Sequence, residues 1–168
     1  RVYLNSGATF LEIKRKNNKG RTKKKRCSIP AGEFSDFRSD PQACAYLAAH
    51  SSFTAAELAP RLETIFRRIT LVNAAKTERL TIDSSLRFVN RATRREASLG
   101  PAVIIELKQD GHSASQMKDI LLSNRVKPAR ISKYCIAVTL TDPSARAGRF
   151  KTKVRAIEKT INHKIAIQ

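Results

Sequence analysis

Carboxylates are scarce in this chain. Fourteen Asp and Glu stand against 33 Lys and Arg in 168 residues, for a formal net charge of +19. Such an imbalance is self-repulsive unless anions compensate it, so a phosphate-rich partner is expected: nucleic acid, polyphosphate, a nucleotide or an anionic membrane surface. Long apolar runs are lacking too. No stretch approaches the roughly 20 residues needed to cross a bilayer, and the opening Arg1-Val2-Tyr3-Leu4 has no signal-peptide core. Cys27, Cys44 and Cys135 are odd in number, far apart and outside any CxxC or Cys/His cluster, which disfavours a disulfide framework or a zinc site. A soluble, cytoplasmic chain with reduced thiols is the expectation. His50, His112 and His163 have no ligand-like spacing, and no solenoid repeat is present. With 41% hydrophobic residues the chain has enough apolar material for a core, and it reads as a single domain over residues 1–168.

What is present is a recurring pattern of ionised residues inside apolar, strand-like runs. The segments are Phe10-Leu11-Glu12-Ile13-Lys14, Arg79-Leu80-Thr81-Ile82-Asp83, Val103-Ile104-Ile105-Glu106-Leu107-Lys108, and Arg130 to Val138. Side chains at i and i+2 of a strand share a face, which joins Glu12 with Lys14, Arg79 with Asp83, and Glu106 with Lys108. Four strands, each with one charged face, point to a sheet curled around a basic, water-filled cavity.

Along the chain, Phe10–Lys14 and Thr22–Ile29 read as a hairpin around Asn17-Asn18-Lys19-Gly20, with Lys24, Arg26 and Ser28 on one face and Lys23, Lys25 and Cys27 on the other. Asp40 before Pro41 is an N-cap followed by proline at the first helical position. A second helix is expected through Leu58, Leu62, Ile65 and Phe66. Ile69–Val72 and Glu78–Ile82 form a strand pair around Asn73–Thr77, extended or followed by Arg87–Val89, and an arginine-rich connection spans Asn90–Gly100. Pro101 introduces the next strand, Gln109-Asp110-Gly111 is a turn, and Ser113–Ser123 a helix. Arg130–Val138 is expected to be the last strong strand, with Cys135 a small core residue. From about Arg149 a helix places Phe150, Val154, Ile157 and Ile161 on one stripe.

The run Lys14–Arg26 holds nine cations but no interleaved aromatics and no RRM, KH or zinc-finger spacing, so nucleic acid is not the favoured partner. Glu12 lies on the face of Lys14, and a carboxylate inside a phosphate-binding surface repels the ligand unless it pairs with cations or holds a metal. Glu106 poses the same choice: an ion pair with Lys108, or a ligand for a hard divalent cation that bridges phosphate oxygens. Ser132 has no adjacent histidine or nucleophile elbow; a structural hydroxyl or a phosphate donor fits it.

Taken in order, Phe10-Leu11-Glu12-Ile13-Lys14-Arg15-Lys16, Lys24-Lys25-Arg26, Glu78 to Asp83, Ile105-Glu106-Leu107-Lys108, and Lys127-Pro128 with Ile131-Ser132-Lys133-Tyr134-Cys135 resemble the catalytic domain of the vacuolar transporter chaperone (VTC) family. That family is a polyphosphate polymerase branch of the CYTH, or triphosphate tunnel metalloenzyme, superfamily. The resemblance implies an α+β fold in which an antiparallel β-barrel forms a tunnel, with helical insertions and a C-terminal helix. It implies Lys14, Lys24, Arg26, Arg79 and Lys133 as catalytic phosphate ligands, with Glu12, Lys108, Arg130 and Ser132 at the substrate and Glu106 on Mn²⁺ or Mg²⁺. Ser132 and Lys133 are consecutive and do not both point inward from a regular strand, so a bulge or an outward side chain is expected there. The family's opening Glu-x-Glu-x-Lys-like strand is not found before Arg1, and a tunnel domain lacking its first strands is expected. The implied activity is metal-dependent transfer of the γ-phosphate of ATP, or of another triphosphate, to a growing polyphosphate chain. The alternatives are hydrolysis of tripolyphosphate or a nucleoside triphosphate, and a nonenzymatic polyanion-binding module.

Overall fold

The computed structural model describes residues 1–109 and 114–165. The expected Gln109-Asp110-Gly111 turn, the Ser113 start of the following helix and His112 therefore fall partly or wholly outside the described residues. The chain divides into two compact units, Arg1–Pro60 and Arg61–Gln168.

In the first unit β1 (Phe10–Lys16) and β2 (Thr22–Ser28) form an antiparallel hairpin with Glu12 opposite Arg26 and Lys14 opposite Lys24. Its turn closes as the sequence dictates: Asn17 accepts from the Arg21 amide at 2.8 Å through its side chain, and Gly20 sits at φ +77°. Asp40 then caps α1 (Pro41–His50) by accepting from the amides of Gln42 (2.9 Å) and Ala43 (3.2 Å), with Pro41 at the first position. Ala43 and Leu47 of this helix are buried, and α1 packs on the hairpin.

The second unit is built on β4 (Glu78–Asn90), a 13-residue strand paired on one side with β3 (Leu62–Val72) and on the other with β5 (Glu96–Ser98) and β6 (Ile104–Gln109) in succession, all antiparallel. The β3–β4 turn is locked by the Asn73 side chain, which accepts from the Glu78 amide at 2.9 Å. The β3–β4 ladder is interrupted once. Ile65 stands opposite Arg87 but Arg67 opposite Ser84, so β4 carries one extra residue, and Ser85 adopts φ +53° there. Thr81 and Asp83 before this bulge, and Leu86, Phe88 and Asn90 after it, are all buried.

Three helices complete the unit: α2 (Gln116–Ser123), α3 (Lys133–Thr141) and α4 (Gly148–Ile161). Ile136, Ala137 and Leu140 of α3 pack with Leu86, Phe88, Ala97, Leu99 and Ala102 into one core, which Val154, Ile157 and Ile161 of α4 flank, three of the four residues of the expected stripe; Phe150 is not among those packed on it. Burying these side chains is the dominant favourable contribution, on the order of 25 cal/mol per Å² of apolar surface removed from water. Asn90 is tied to α3 by its amide, which donates to the Thr141 hydroxyl at 3.2 Å.

Two expectations are corrected. Leu58–Phe66 is not a helix: only a short 3-10 turn forms at Ala55–Glu57, and Leu62 onward belongs to β3, because β-branched Thr64, Ile65, Ile69, Thr70 and Val72 pair along β4. Arg130–Val138 is not a strand. From Lys133 it is helix, since Ile136, Ala137 and Leu140 fall on one helical face over the core and Ser132 supplies an N-cap, accepting from the Cys135 amide at 3.3 Å. The architecture is mixed α+β with antiparallel sheets and four α-helices among the described residues, whose strands form one two-stranded and one four-stranded sheet. No described helix is long and apolar enough to cross a membrane.

Candidate phosphate-binding faces

Directly opposite residues of an antiparallel pair share a face, so the hairpin register places Phe10, Glu12 and Lys14 of β1 with Lys24 and Arg26 of β2 on one side. Glu12 is the only carboxylate in this group, and its side chain is 8% exposed. Lys24 donates to it at 3.1 Å and the Arg1 guanidinium lies 3.8 Å away. Burial pushes the Glu12 carboxyl up, but the Lys24 hydrogen bond and the charges of Arg1, Lys24 and Lys14 outweigh it and hold it below the ordinary value. Glu12 is thus an anion satisfied by its cations. Arg26 stacks over the Phe10 ring at 4.7 Å, which fixes its guanidinium without using its donors.

The second unit builds a comparable face on β3, β4 and β6. Arg79 stands opposite Lys108 and Thr81 opposite Glu106, while Arg68 stands opposite Asp83, so all six lie on one side of the sheet. Asp83 has no exposed surface. Its Oδ1 accepts from Arg68 Nε at 2.6 Å and its Oδ2 from Arg68 Nη2 at 2.7 Å, and Lys133 Nζ, from the first turn of α3, lies 2.7 Å from the same Oδ2. Burial raises the Asp83 carboxyl, and the hydrogen bonds of Arg68 and Lys133 more than reverse this, leaving it below the ordinary range. Arg68 and Lys133 also lie 5.0 and 5.5 Å from the Phe66 ring. The buried anion therefore gathers two cations from distant parts of the sequence onto the face that carries Arg79 and Lys108.

Glu106 remains accessible on this face, 46% exposed, with Lys108 Nζ 3.3 Å away. The ion pair anticipated for it is formed. Among the described residues no group of three His, Cys, Asp or Glu is placed to hold a metal. Were a hard divalent ion to bind this face, Glu106 is the accessible carboxylate that could hold it, with phosphate oxygens and waters completing the shell.

Of the sequence-predicted residues, Lys14, Lys24, Arg26 and Glu12 come together on the hairpin, and Arg79, Lys108, Glu106 and Lys133 on the larger sheet. Ser132 has a structural task as the α3 cap, and the helix start resolves the conflict of two consecutive inward side chains. Arg130 is exposed, and its carbonyl accepts from the Lys153 ammonium. Sequence reasoning missed Arg68, which a strand reading of Leu62–Val72 places opposite Asp83.

The model of the VTC domain family matches residues 1–141, and the chain belongs to that family. The match runs through both units and ends with α3. VTC domains are polyphosphate-related, in keeping with two cation-rich faces. Neither curated proteins nor solved structures provide a further match.

Proposed function

We propose that this chain is a polyphosphate polymerase that transfers the γ-phosphoryl group of ATP to the end of a polyphosphate chain. The supporting observation is the sheet face that carries Arg79, Lys108 and the Asp83-held Lys133 together with one accessible carboxylate, Glu106. Phosphoryl transfer asks little covalent chemistry of a protein; positioning and charge neutralisation carry it. In this reading a terminal oxygen of the polyphosphate attacks the γ-phosphorus, the bond to the β–γ bridging oxygen breaks, and ADP leaves. Lys14, Lys24 and Arg26 on the hairpin, and Arg79 and Lys133 on the larger sheet, bind and neutralise phosphate oxygens. Lys108 and Arg130 add positive charge at the substrate, Glu12 orients Lys24, and Ser132 holds the helix that presents Lys133. Glu106 would hold Mn²⁺ or Mg²⁺, which when bound supplies Lewis-acid polarisation of the phosphates.

The test is turnover of ATP with manganese by the chain and by Glu106→Gln. Polymer that resists nuclease and is digested by a polyphosphatase is the expected product, and Glu106→Gln abolishes manganese-dependent turnover while leaving metal-free polyphosphate binding intact or tighter. Free phosphate without polymer identifies a hydrolase instead, and binding without turnover a polyanion-binding module. Near-normal turnover of Glu106→Gln with an unaltered manganese titration overturns the metal assignment.

A further inference from the structure

The opposite face of the hairpin carries a second cluster of cations that takes no part in the proposed transfer reaction. Arg15 and Lys23 are directly paired across the strands, and Lys25 stands opposite Ile13 on the same side. Together with Lys16 and with His50 from the end of α1, they line a cavity of about 460 Å³, with Ile13 contributing to its apolar wall. This lies within the range of about 300–1,000 Å³ typical of small-ligand clefts. None of its lining residues is acidic, in contrast with the Glu12 face. Two polar contacts within the lining compete for one ring nitrogen. The Lys25 ammonium lies 3.4 Å from His50 Nδ1, and the same nitrogen lies 2.8 Å from the Ala49 carbonyl. A ring nitrogen that accepts from an ammonium does not also donate to a carbonyl, so only one of the two contacts is made at a time, and in either case the Lys25 ammonium, with three N–H donors, keeps at least two for a ligand.

We propose that this cavity is a second anion site, separate from the Glu12 face, that takes a small, multiply charged phospho-anion. Four fixed charges, on Arg15, Lys16, Lys23 and Lys25, and an imidazole converging without a carboxylate repel one another in the empty protein, and a ligand carrying several negative charges in a small volume relieves them all. Arg15 supplies the planar fork that matches phosphate oxygens, while Lys23 and Lys25 add point charges two positions apart on the same side of β2.

Tripolyphosphate titrated into the full chain, followed by amide chemical shifts, tests this. Two sets of shifts are expected, one at Glu12, Lys14 and Lys24 and a separable one at Arg15, Lys23, Lys25 and His50. Lys23→Gln with Lys25→Gln weakens the second set at least tenfold and leaves the first, whereas Lys14→Gln with Lys24→Gln does the reverse. A control, Lys19→Gln with Arg21→Gln, removes the same charge at the hairpin tip outside the cavity and leaves both sets. Wild-type shifts confined to the Glu12 face overturn the proposal, whatever the folding of the variants. So does an equal loss in the tip control, which marks diffuse attraction only, or tighter occupation of the cavity by a single-stranded oligonucleotide than by tripolyphosphate.

Discussion

Asp83 is the residue on which the larger cation face turns. A carboxylate with no exposed surface is tolerable only because Arg68 and Lys133 both donate to it, and removing the charge while keeping the shape leaves two cations without their anion. Asp83→Asn is expected to cost about 3–5 kcal/mol of stability. Its carboxyl is held below the ordinary value of about 3.9, so its contribution is complete above that pH and is lost as pH falls through the lowered folded value. Denaturant unfolding of wild type and Asp83→Asn at pH 7, and at steps below pH 4, checks this: the difference between them shrinks as the pH drops. A difference that grows on acidification contradicts the assignment. The contrast between Lys133 and Arg79 comes from the same geometry. Lys133→Ala strips one of two partners from a buried anion and costs about 1–3 kcal/mol, whereas exposed Arg79→Ala stays within about 0.5 kcal/mol; both weaken tripolyphosphate binding.

At the scale of elements, the start of α3 joins capping to the position of Lys133. Ser132→Ala removes the cap and is expected to lower stability by about 1 kcal/mol, with Ser132→Asp restoring it, as thermal melts would show. If Ser132→Ala melts unchanged, the hydroxyl is not acting as a cap. This element is also where the sequence misleads. Read as far as Val138, the segment after Pro128 is rich in β-branched and aromatic residues and passes for a strand; Leu140, which completes the helical face with Ile136 and Ala137, lies just beyond. The same failure hid β3, where Pro60 and the spacing of Leu58, Leu62 and Ile65 imitate a helical stripe, although Thr64, Ile65, Ile69, Thr70 and Val72 favour a paired strand. The hairpin, the Asp40 cap, the pairing around Asn73–Thr77 and the apolar stripe of α4 were legible because turn chemistry and period act locally. The bulge at Ser85 and the reach of Lys133 to Asp83 depend on tertiary contacts that no local pattern carries.

For the molecule as a whole, a charge of +19 makes association with polyanions strongly dependent on ionic strength. Affinity for long-chain polyphosphate is expected to fall by about tenfold or more between about 50 and 200 mM salt, measured by titration at several concentrations; a flat response means that the two cation faces do not carry the binding. The extra residue in β4 has its own consequence for how such a chain tolerates change. Asp83 and Leu86 lie on one side of the strand although three positions separate them, so deleting Ser85 would act as the removal of a spacer and not as a frameshift: plain alternation through Asp83, Ser84 and Leu86 leaves both faces as they are. Leu86, Phe88 and Asn90 would stay in the core and Arg79 and Asp83 on their face, and what the strand would lose is the bend and added twist of the bulge. A one-residue deletion elsewhere in β4, with the bulge kept, is what turns the faces over; at Ser85 itself the position tolerates that loss, and among substitutions it favours Gly or Asn, which accept a left-handed backbone.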